Sequence, residues 1–120
     1  MRTSLSHALI VLITLTANTV SAATGTLSNV TIEKLIVSED RFGGCMAMLS
    51  KDIATAVPGC PDKWLTFACD GSLNNSIGRA MQKWEIAQLA YALSKNVLVQ
   101  ADSNRTVNGY CFASIIRLEP

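Results

Sequence analysis

Histidine is nearly absent from this chain, because His7 is the only one among its 120 residues. His7 lies in an N-terminal segment with the features of a secretory signal, so the exported protein is expected to contain no histidine. This loss excludes the commonest general base, the Ser-His and Cys-His nucleophile pairs, and zinc sites with mixed Cys and His ligands. We therefore expect no enzymatic activity, no catalytic residues and no cofactor.

The sequence also lacks a cluster of basic residues. It has 10 Lys and Arg against 9 Asp and Glu, and removal of Arg2 with the signal would leave 9 of each sign. Binding of phosphate backbones requires clustered Lys and Arg. We therefore expect no nucleic acid partner.

Few carboxylates are candidates for acid/base chemistry. Glu39-Asp40 and Asp70 are conceivable as a pair. However, Glu39-Asp40 precedes Arg41 in a predicted turn, and Asp70-Gly71 is a sequence typical of turns. We interpret these residues as turn residues.

The signal itself is predicted from three features of residues 1–22. Met1 to His7 carries one positive charge, Ala8 to Leu15 is an apolar run too short to span a bilayer comfortably, and Val20-Ser21-Ala22 fits a signal-peptidase site. An uncleaved anchor is the alternative, but no basic stop-transfer flank follows the apolar run. We expect a secreted or periplasmic protein without a membrane span, with residues 23–120 forming a single domain.

Four cysteines are present: Cys45, Cys60, Cys69 and Cys111. An even number in a small exported domain favours disulfides. Their spacing contains no Cys-x-x-Cys pair, so we expect no metal site. Each disulfide contributes roughly 2 to 4 kcal/mol, a large share of the stability of so small a domain.

The sequence predicts five strands and one long helix, a mainly β fold of the α+β class. The strands are expected at Val30 to Val37, Phe42 to Leu49, Trp64 to Cys69, a fourth beginning at Val97 to Val99, and Tyr110 to Leu118, with Asp102 to Gly109 as a polar turn. Gly43-Gly44 suggests a bulge or bend in the second strand.

The helix is predicted from about Ser76 to Ser94, and its apolar residues form two stripes. The first contains Ile77, Ala80, Met81, Trp84, Ala87 and Tyr91, and the second contains Ile86, Leu89, Ala90 and Leu93. A single domain normally covers one face of a surface helix, so the second stripe points to an additional partner. Ile86, Leu89 and Leu93 are thus the predicted residues of an oligomer interface. Coverage by loops of the same domain is the alternative.

The element order β-β-β-α-β-β is that of the five-stranded oligonucleotide/oligosaccharide-binding (OB) barrel. In that topology the hairpin of the second and third strands places Cys45 opposite Cys69. Cys60, just before the third strand, then lies near Cys111 at the start of the parallel fifth strand. The predicted disulfides are therefore Cys45 with Cys69 and Cys60 with Cys111. A packed α+β sandwich of another topology is the alternative.

The chain resembles the B subunits of bacterial one-A, five-B toxins, especially those of the subtilase cytotoxin type. The resemblance is carried by Phe42-Gly43-Gly44-Cys45, by Phe67-Ala68-Cys69 and by Gln88 to Ser94 running into Val97-Leu98-Val99. The segment from Asn108 to Ser114 is also similar to small uncharacterised secreted proteins of proteobacteria. The resemblance favours a bacterial source.

The toxin resemblance implies a homo-oligomer, in that family a pentamer with the helices around a pore, together with an A subunit and a glycan or glycoprotein ligand. No glycan-contacting motif of the family matches this sequence, so no ligand-binding residue is predicted. Trp64, Tyr91 and Tyr110 have rings on which sugars stack, but each lies in a regular apolar pattern that favours core packing. Two functions stay open: an exported binding module, or a periplasmic structural or accessory protein without a toxin partner.

Overall fold

The computed structural model describes residues 23–39 and 41–120. The predicted signal at residues 1–22 and Asp40 lie outside the described residues. Among those described, no helix is both long and apolar enough to cross a membrane.

The fold is mainly β with one α-helix. The strands are β1 (Thr24–Val30), β2 (Ile32–Val37), β3 (Cys45–Leu49), β4 (Trp64–Thr66), β5 (Val97–Val107) and β6 (Tyr110–Leu118), and the helix α1 is Ile77–Leu93. Short 3₁₀ turns lie at Ile53–Thr55 and Ser72–Asn74.

The six strands form one mixed sheet in the order β1-β5-β6-β4-β3-β2. The pair β4 and β6 is parallel, and all other pairs are antiparallel. This order differs from the predicted five-stranded barrel order, which is not confirmed. The two edge strands, β1 and β2, are consecutive in the chain with only Thr31 between them.

The extra strand arises because residues 24–30, which have a weak strand pattern, pair with β5. The predicted first strand began at Val30, which is instead the last residue of β1. Asn29 has a φ of 52°, and the register of β1 on β5 shifts between Leu27 and Val30. This irregularity ends β1 and turns the chain towards β3, with which β2 pairs.

Three other predicted boundaries were wrong. β3 begins at Cys45 because Phe42, Gly43 and Gly44 have φ values of 58°, 75° and 89°, which no strand allows. β4 ends at Thr66, before Ala68 with a φ of 52°. β5 continues through the predicted polar turn to Val107, so the turn is reduced to Asn108-Gly109.

The helix has the predicted bounds because polar residues cap both ends. Ser76 is the N-cap, and its hydroxyl accepts a hydrogen bond from the Arg79 amide at 3.5 Å. Ser94 is the C-cap, with a left-handed φ of 50°. The helix packs against β2 and β6.

The face that α1 buries combines parts of both predicted stripes. Its buried residues are Ala80, Trp84, Ala87 and Ala90. Small alanines let the helix approach the sheet closely, while the Trp84 ring packs edge-on against Phe67 at 5.6 Å. The prediction that the first stripe packs on the sheet was wrong for Ile77, Met81 and Tyr91, because all three side chains are exposed.

Both disulfides join strands to neighbouring segments. Cys45 is bonded to Cys69 and Cys60 to Cys111, with Cα atoms 5.7 and 5.6 Å apart. These are the two pairs predicted from the sequence. Of the four cysteine side chains, those of Cys45, Cys60 and Cys111 are buried in the hydrophobic cluster formed by α1 and the strands, and Cys69 packs against this cluster.

Candidate functional site

Two cavities lie on the face of the sheet that points away from the core. Strand residues alternate between faces. Cys45, Ala47, Leu65 and Cys111 belong to the core cluster. Their sequence neighbours on the same strands therefore point outwards, and some of these outward residues, such as Met46, Trp64 and Phe112, contribute to the walls of the two cavities.

The first cavity is an aromatic pocket of about 140 Å³. It is lined by Ile36 from β2, Met46 from β3, Trp64 from β4, Tyr110 from β6 and Phe42 from the loop before β3. We call it the aromatic pocket. Phe42 and Tyr110 contact each other edge to face, with ring centroids 5.5 Å apart. The prediction that Trp64 and Tyr110 pack in the core was wrong, because both are half-buried at this surface.

The loop before β3 is held tightly against β4 and so fixes the position of Phe42. The hydroxyl of the fully buried Thr66 donates to the Phe42 carbonyl and accepts from the Ala68 amide. A Cβ atom at Gly43 would lie 2.5 Å from the Thr66 hydroxyl oxygen, so no larger residue fits there. The left-handed φ of Phe42 is uncommon for a bulky residue and is imposed by this packing.

The second cavity is larger, about 440 Å³, and lies between α1 and the β5–β6 hairpin. We call it the basic cleft. It is lined by three cations, Arg79, Lys83 and Arg105, by the neutral polar residues Asn75, Gln82 and Ser114, and by Ile86 and Phe112. Ile86, predicted at an oligomer interface, therefore lies in a cleft.

Phe112 organises the cations of the basic cleft. The Lys83 Nζ atom lies 4.1 Å from the centroid of its ring, and the Arg105 guanidinium carbon lies 4.0 Å from the same centroid. Both contacts have cation–π geometry. The ring itself is buried, so it provides a fixed support for both side chains.

Hydrogen bonds complete the placement of Lys83 and Arg105. The Lys83 ammonium donates to the Ala113 carbonyl at 2.8 Å. The Arg105 Nε atom donates to Asp102 Oδ2 at 2.9 Å. The second oxygen of Asp102 accepts from the Asn104 amide at 2.9 Å.

The electrostatic environment disfavours the charged form of Lys83. Desolvation by burial, together with repulsion from the Arg105 guanidinium, lowers the pKa of Lys83 to about 8. Lys83 is therefore only partly protonated a little above neutral pH.

Of the acid/base candidates of the sequence, Asp40 lies outside the described residues and Glu39 is exposed. Asp70 is exposed, and its carboxylate accepts from the Ser72 amide at 2.9 Å. Hydrogen bonds from Ser72 lower the pKa of Asp70. Within residues 23–39 and 41–120, no group of three Cys, His, Asp or Glu side chains is close enough to hold a metal ion.

Sequence reasoning missed the basic cleft because its cations come from separate elements. Arg79 and Lys83 lie one turn apart on α1, and Arg105 comes from β5. Only the pairing of Arg79 and Lys83 on one helix face was visible as a signal. Comparisons with protein-family models, with curated proteins and with solved structures find no match for this chain.

Proposed function

We propose that this chain is an exported, disulfide-bonded binding module that resembles a toxin B subunit, assembles as a homo-oligomer, and binds a glycan or glycoprotein. The observation that carries the proposal is the aromatic pocket. Three rings, Phe42, Trp64 and Tyr110, converge on one outward-facing cavity instead of packing in the core. Apolar concave surfaces with a few polar groups are typical of ligand sites.

The proposed fold is an OB-type barrel in which β1 and β2 act as one long bent strand. Several contacts support continuity across Thr31. Its amide donates to the Ser50 hydroxyl at 3.0 Å, and its carbonyl accepts from the Ser50 amide at 3.0 Å. Val30 pairs with β5 while Ile32 pairs with β3. Residues only two positions apart are therefore paired to strands near opposite ends of the sheet order.

The chemistry of the aromatic pocket suits a sugar. A pyranose ring presents an apolar face of C–H groups and a rim of hydroxyls. The rings of the pocket would contact the apolar face, and the Tyr110 hydroxyl and the Trp64 indole N–H provide polar partners. The pocket holds about 140 Å³, which is below the usual range for a whole ligand, so it would accept one ring while the rest remains outside.

The strained loop also favours a binding role. Residues held in sparsely populated backbone conformations cluster at binding sites, where the surrounding structure fixes them. Phe42 is such a residue, and Thr66 and Gly43 hold it in place before any ligand arrives. Preorganisation of this kind lowers the entropic cost of binding.

Glycan binding by Trp64 variants tests the proposal. On a glycan array followed by titration of the best ligand, Trp64→Ala should weaken binding at least about tenfold, because a lost ring contact of about 1.4 kcal/mol has that effect. Trp64→Phe should restore most of the affinity. Ile115→Ala is the control, since Ile115 is an exposed apolar side chain outside the pocket and outside α1. Equal losses in Trp64→Ala and Ile115→Ala, or no glycan bound by the unmutated protein, would refute the proposal.

The proposed oligomer rests on the apolar surface of α1. Of the eight large hydrophobic side chains that are exposed among the described residues, five belong to this helix: Ile77, Met81, Leu89, Tyr91 and Leu93. Leu89 is 47% exposed and Leu93 is 57% exposed, so no loop within residues 23–39 and 41–120 covers these two residues of the second stripe. Leu89 and Leu93 lie one helical turn apart on the same face, and an exposed apolar patch is typical of protein interfaces.

The assembly proposal predicts a change of mass. Leu89→Glu combined with Leu93→Glu should convert the oligomer into a folded monomer, because burial of each leucine contributes about 1.5 to 3 kcal/mol to the contact. Light scattering after size exclusion measures the mass, and circular dichroism checks folding. Ile115→Glu is the control, because Ile115 is also 47% exposed but lies on β6. A monomeric unmutated protein would end the assembly proposal.

A further inference from the structure

We infer that the basic cleft between α1 and the β5–β6 hairpin is a binding site for an oxyanion, a carboxylate, sulfate or phosphate group carried by a ligand. The cleft is distinct from the aromatic pocket, and the inference does not depend on what the aromatic pocket binds. It rests on the charges that line the cleft, on their unused hydrogen-bond donors, and on the way in which the fold holds them.

The cleft has an excess of positive charge. Arg79, Lys83 and Arg105 all line it, while Asp102 is the one carboxylate bonded to any of them in the part of the chain that the structure describes. Asp102 is itself satisfied, since its two oxygens accept from Arg105 and from the Asn104 amide. The surplus of two positive charges over so short a distance favours an anionic ligand.

The cations retain donors that point to no partner within the described residues. Lys83 has three N–H donors and uses one, for the Ala113 carbonyl. Arg105 has five donors and uses the one on Nε, which leaves the forked terminal nitrogens. A guanidinium fork and an ammonium together match the geometry of a carboxylate, sulfate or phosphate.

The support for the cations is a neutral ring instead of a second carboxylate. Phe112 lies about 4 Å from both charged groups, so it fixes their positions without neutralising them. Arg105 is paired with Asp102, whereas a second carboxylate beside Lys83 would have neutralised that ammonium as well. The arrangement instead leaves it available, and Asn75, Gln82 and Ser114 add neutral polar groups around the same cavity.

Without a bound anion, the partly buried charge of Lys83 lowers the stability of the folded state. Two charged groups line the cleft with Lys83, Arg79 on its own helix and Arg105 on β5, and Asp102 is bonded to Arg105. Burial and the nearby Arg105 lower its pKa to about 8, so the folded state binds the proton less tightly than the unfolded state does. The penalty is fully present below pH 8 and is lost as the pH rises from about 8 towards the ordinary lysine pKa of roughly 10.4. A bound oxyanion would offset it.

The size of the cleft indicates that the oxyanion belongs to a larger molecule. A volume of about 440 Å³ lies within the range of small-molecule sites and exceeds what a free inorganic ion fills. An acidic sugar and a small inorganic ion both present an oxyanion that the cations of the cleft would bind. Methyl glucuronide, methyl glucoside and sodium sulfate distinguish them as probes.

Isothermal titration of the full exported protein at low ionic strength tests the inference. Methyl glucuronide or sulfate, or both, should bind, and methyl glucoside should not. Lys83→Met should weaken binding of the anionic probe at least about tenfold. Arg79→Gln should weaken it as well, and because Arg79 is exposed this change should not affect folding. Lys95→Met, near the opposite end of α1, is the control and should bind within about twofold of the unmutated protein.

Two further readouts separate a binding role of Lys83 from a structural one. Binding at pH 8 should take up about half a proton in titrations with buffers of different ionisation enthalpy, and nearly none at pH 6.5, where Lys83 is already charged. Lys83→Met should also keep or raise the melting temperature at pH 6.5, because it removes a charge that burial disfavours. Binding of methyl glucoside as tight as that of methyl glucuronide, no binding of either anion, or equal losses in Lys83→Met and Lys95→Met would overturn the inference.

Discussion

Removal of the Cys60–Cys111 disulfide by the double substitution Cys60→Ala, Cys111→Ala is expected to lower the free energy of unfolding by about 4 kcal/mol. The two cysteines are 51 residues apart in sequence, and a cross-link over that span restricts the unfolded chain strongly. Both side chains are also buried, so the shorter alanines leave unfilled space in the core. Urea denaturation followed by circular dichroism measures the loss.

The Cys45–Cys69 disulfide provides the comparison. Its cysteines are 24 residues apart, so the chain-entropy estimate for its loss is about 3.5 kcal/mol. Cys69 is only half-buried, which reduces the packing contribution. The double substitution at Cys60 and Cys111 should therefore have the lower urea midpoint. A lower midpoint for Cys45→Ala, Cys69→Ala would show that local packing, and not chain restriction, determines the effect.

The helix and the last strand were predicted almost to the residue, because their limits are set locally. Ser76 and Ser94 cap the helix with their own hydroxyl and backbone conformation. Asn108 and Gly109 have φ values of 50° and 85°, as a two-residue hairpin turn requires, so β6 begins at Tyr110. Signals that act within a few residues can be read from a single sequence.

The missed length of β5 has a physical reason. Asp102 and Arg105 are polar, and their segment was interpreted as a turn. Polarity is a property of side chains, whereas the strand is defined by backbone pairing, which shifts register after Asp102↔Phe112 and resumes at Thr106↔Cys111 and Val107↔Tyr110. Arg105 lies within this irregular stretch, and its side chain bonds to that of Asp102 at the start of the stretch.

Neither cavity was predictable from the pattern of residues. The alternation of Trp64 with Leu65 identifies two faces of a strand but not which face the core covers, so the outward-facing rings were assigned to the core. The cations of the basic cleft meet only because α1 packs beside β6, and this contact depends on the whole topology. Absence of a basic run in the sequence therefore did not exclude a basic site.

The two tryptophans provide a comparison between core and surface. Trp84→Ala is expected to lower the free energy of unfolding by about 3 to 5 kcal/mol, since large core aromatics replaced by alanine lose burial and leave a cavity. Trp84 is 4% exposed and contacts Phe67 between α1 and the sheet. Such a loss is a substantial share of a total stability of about 5 to 15 kcal/mol.

Trp64→Ala is the matched change at the same residue type. Trp64 is half-buried, lines the aromatic pocket and is not part of the core cluster. Its replacement should therefore lower the free energy of unfolding by less than about half of the loss expected for Trp84→Ala. Thermal unfolding by circular dichroism ranks the two variants, and the single remaining tryptophan in each reports its own environment by fluorescence. In Trp84→Ala the emission of Trp64 should be that of a partly hydrated indole, whereas in Trp64→Ala the emission of Trp84 should be that of a buried one. If Trp64→Ala proves the more destabilising, Trp64 has a structural role, and its position in the aromatic pocket no longer supports ligand binding there.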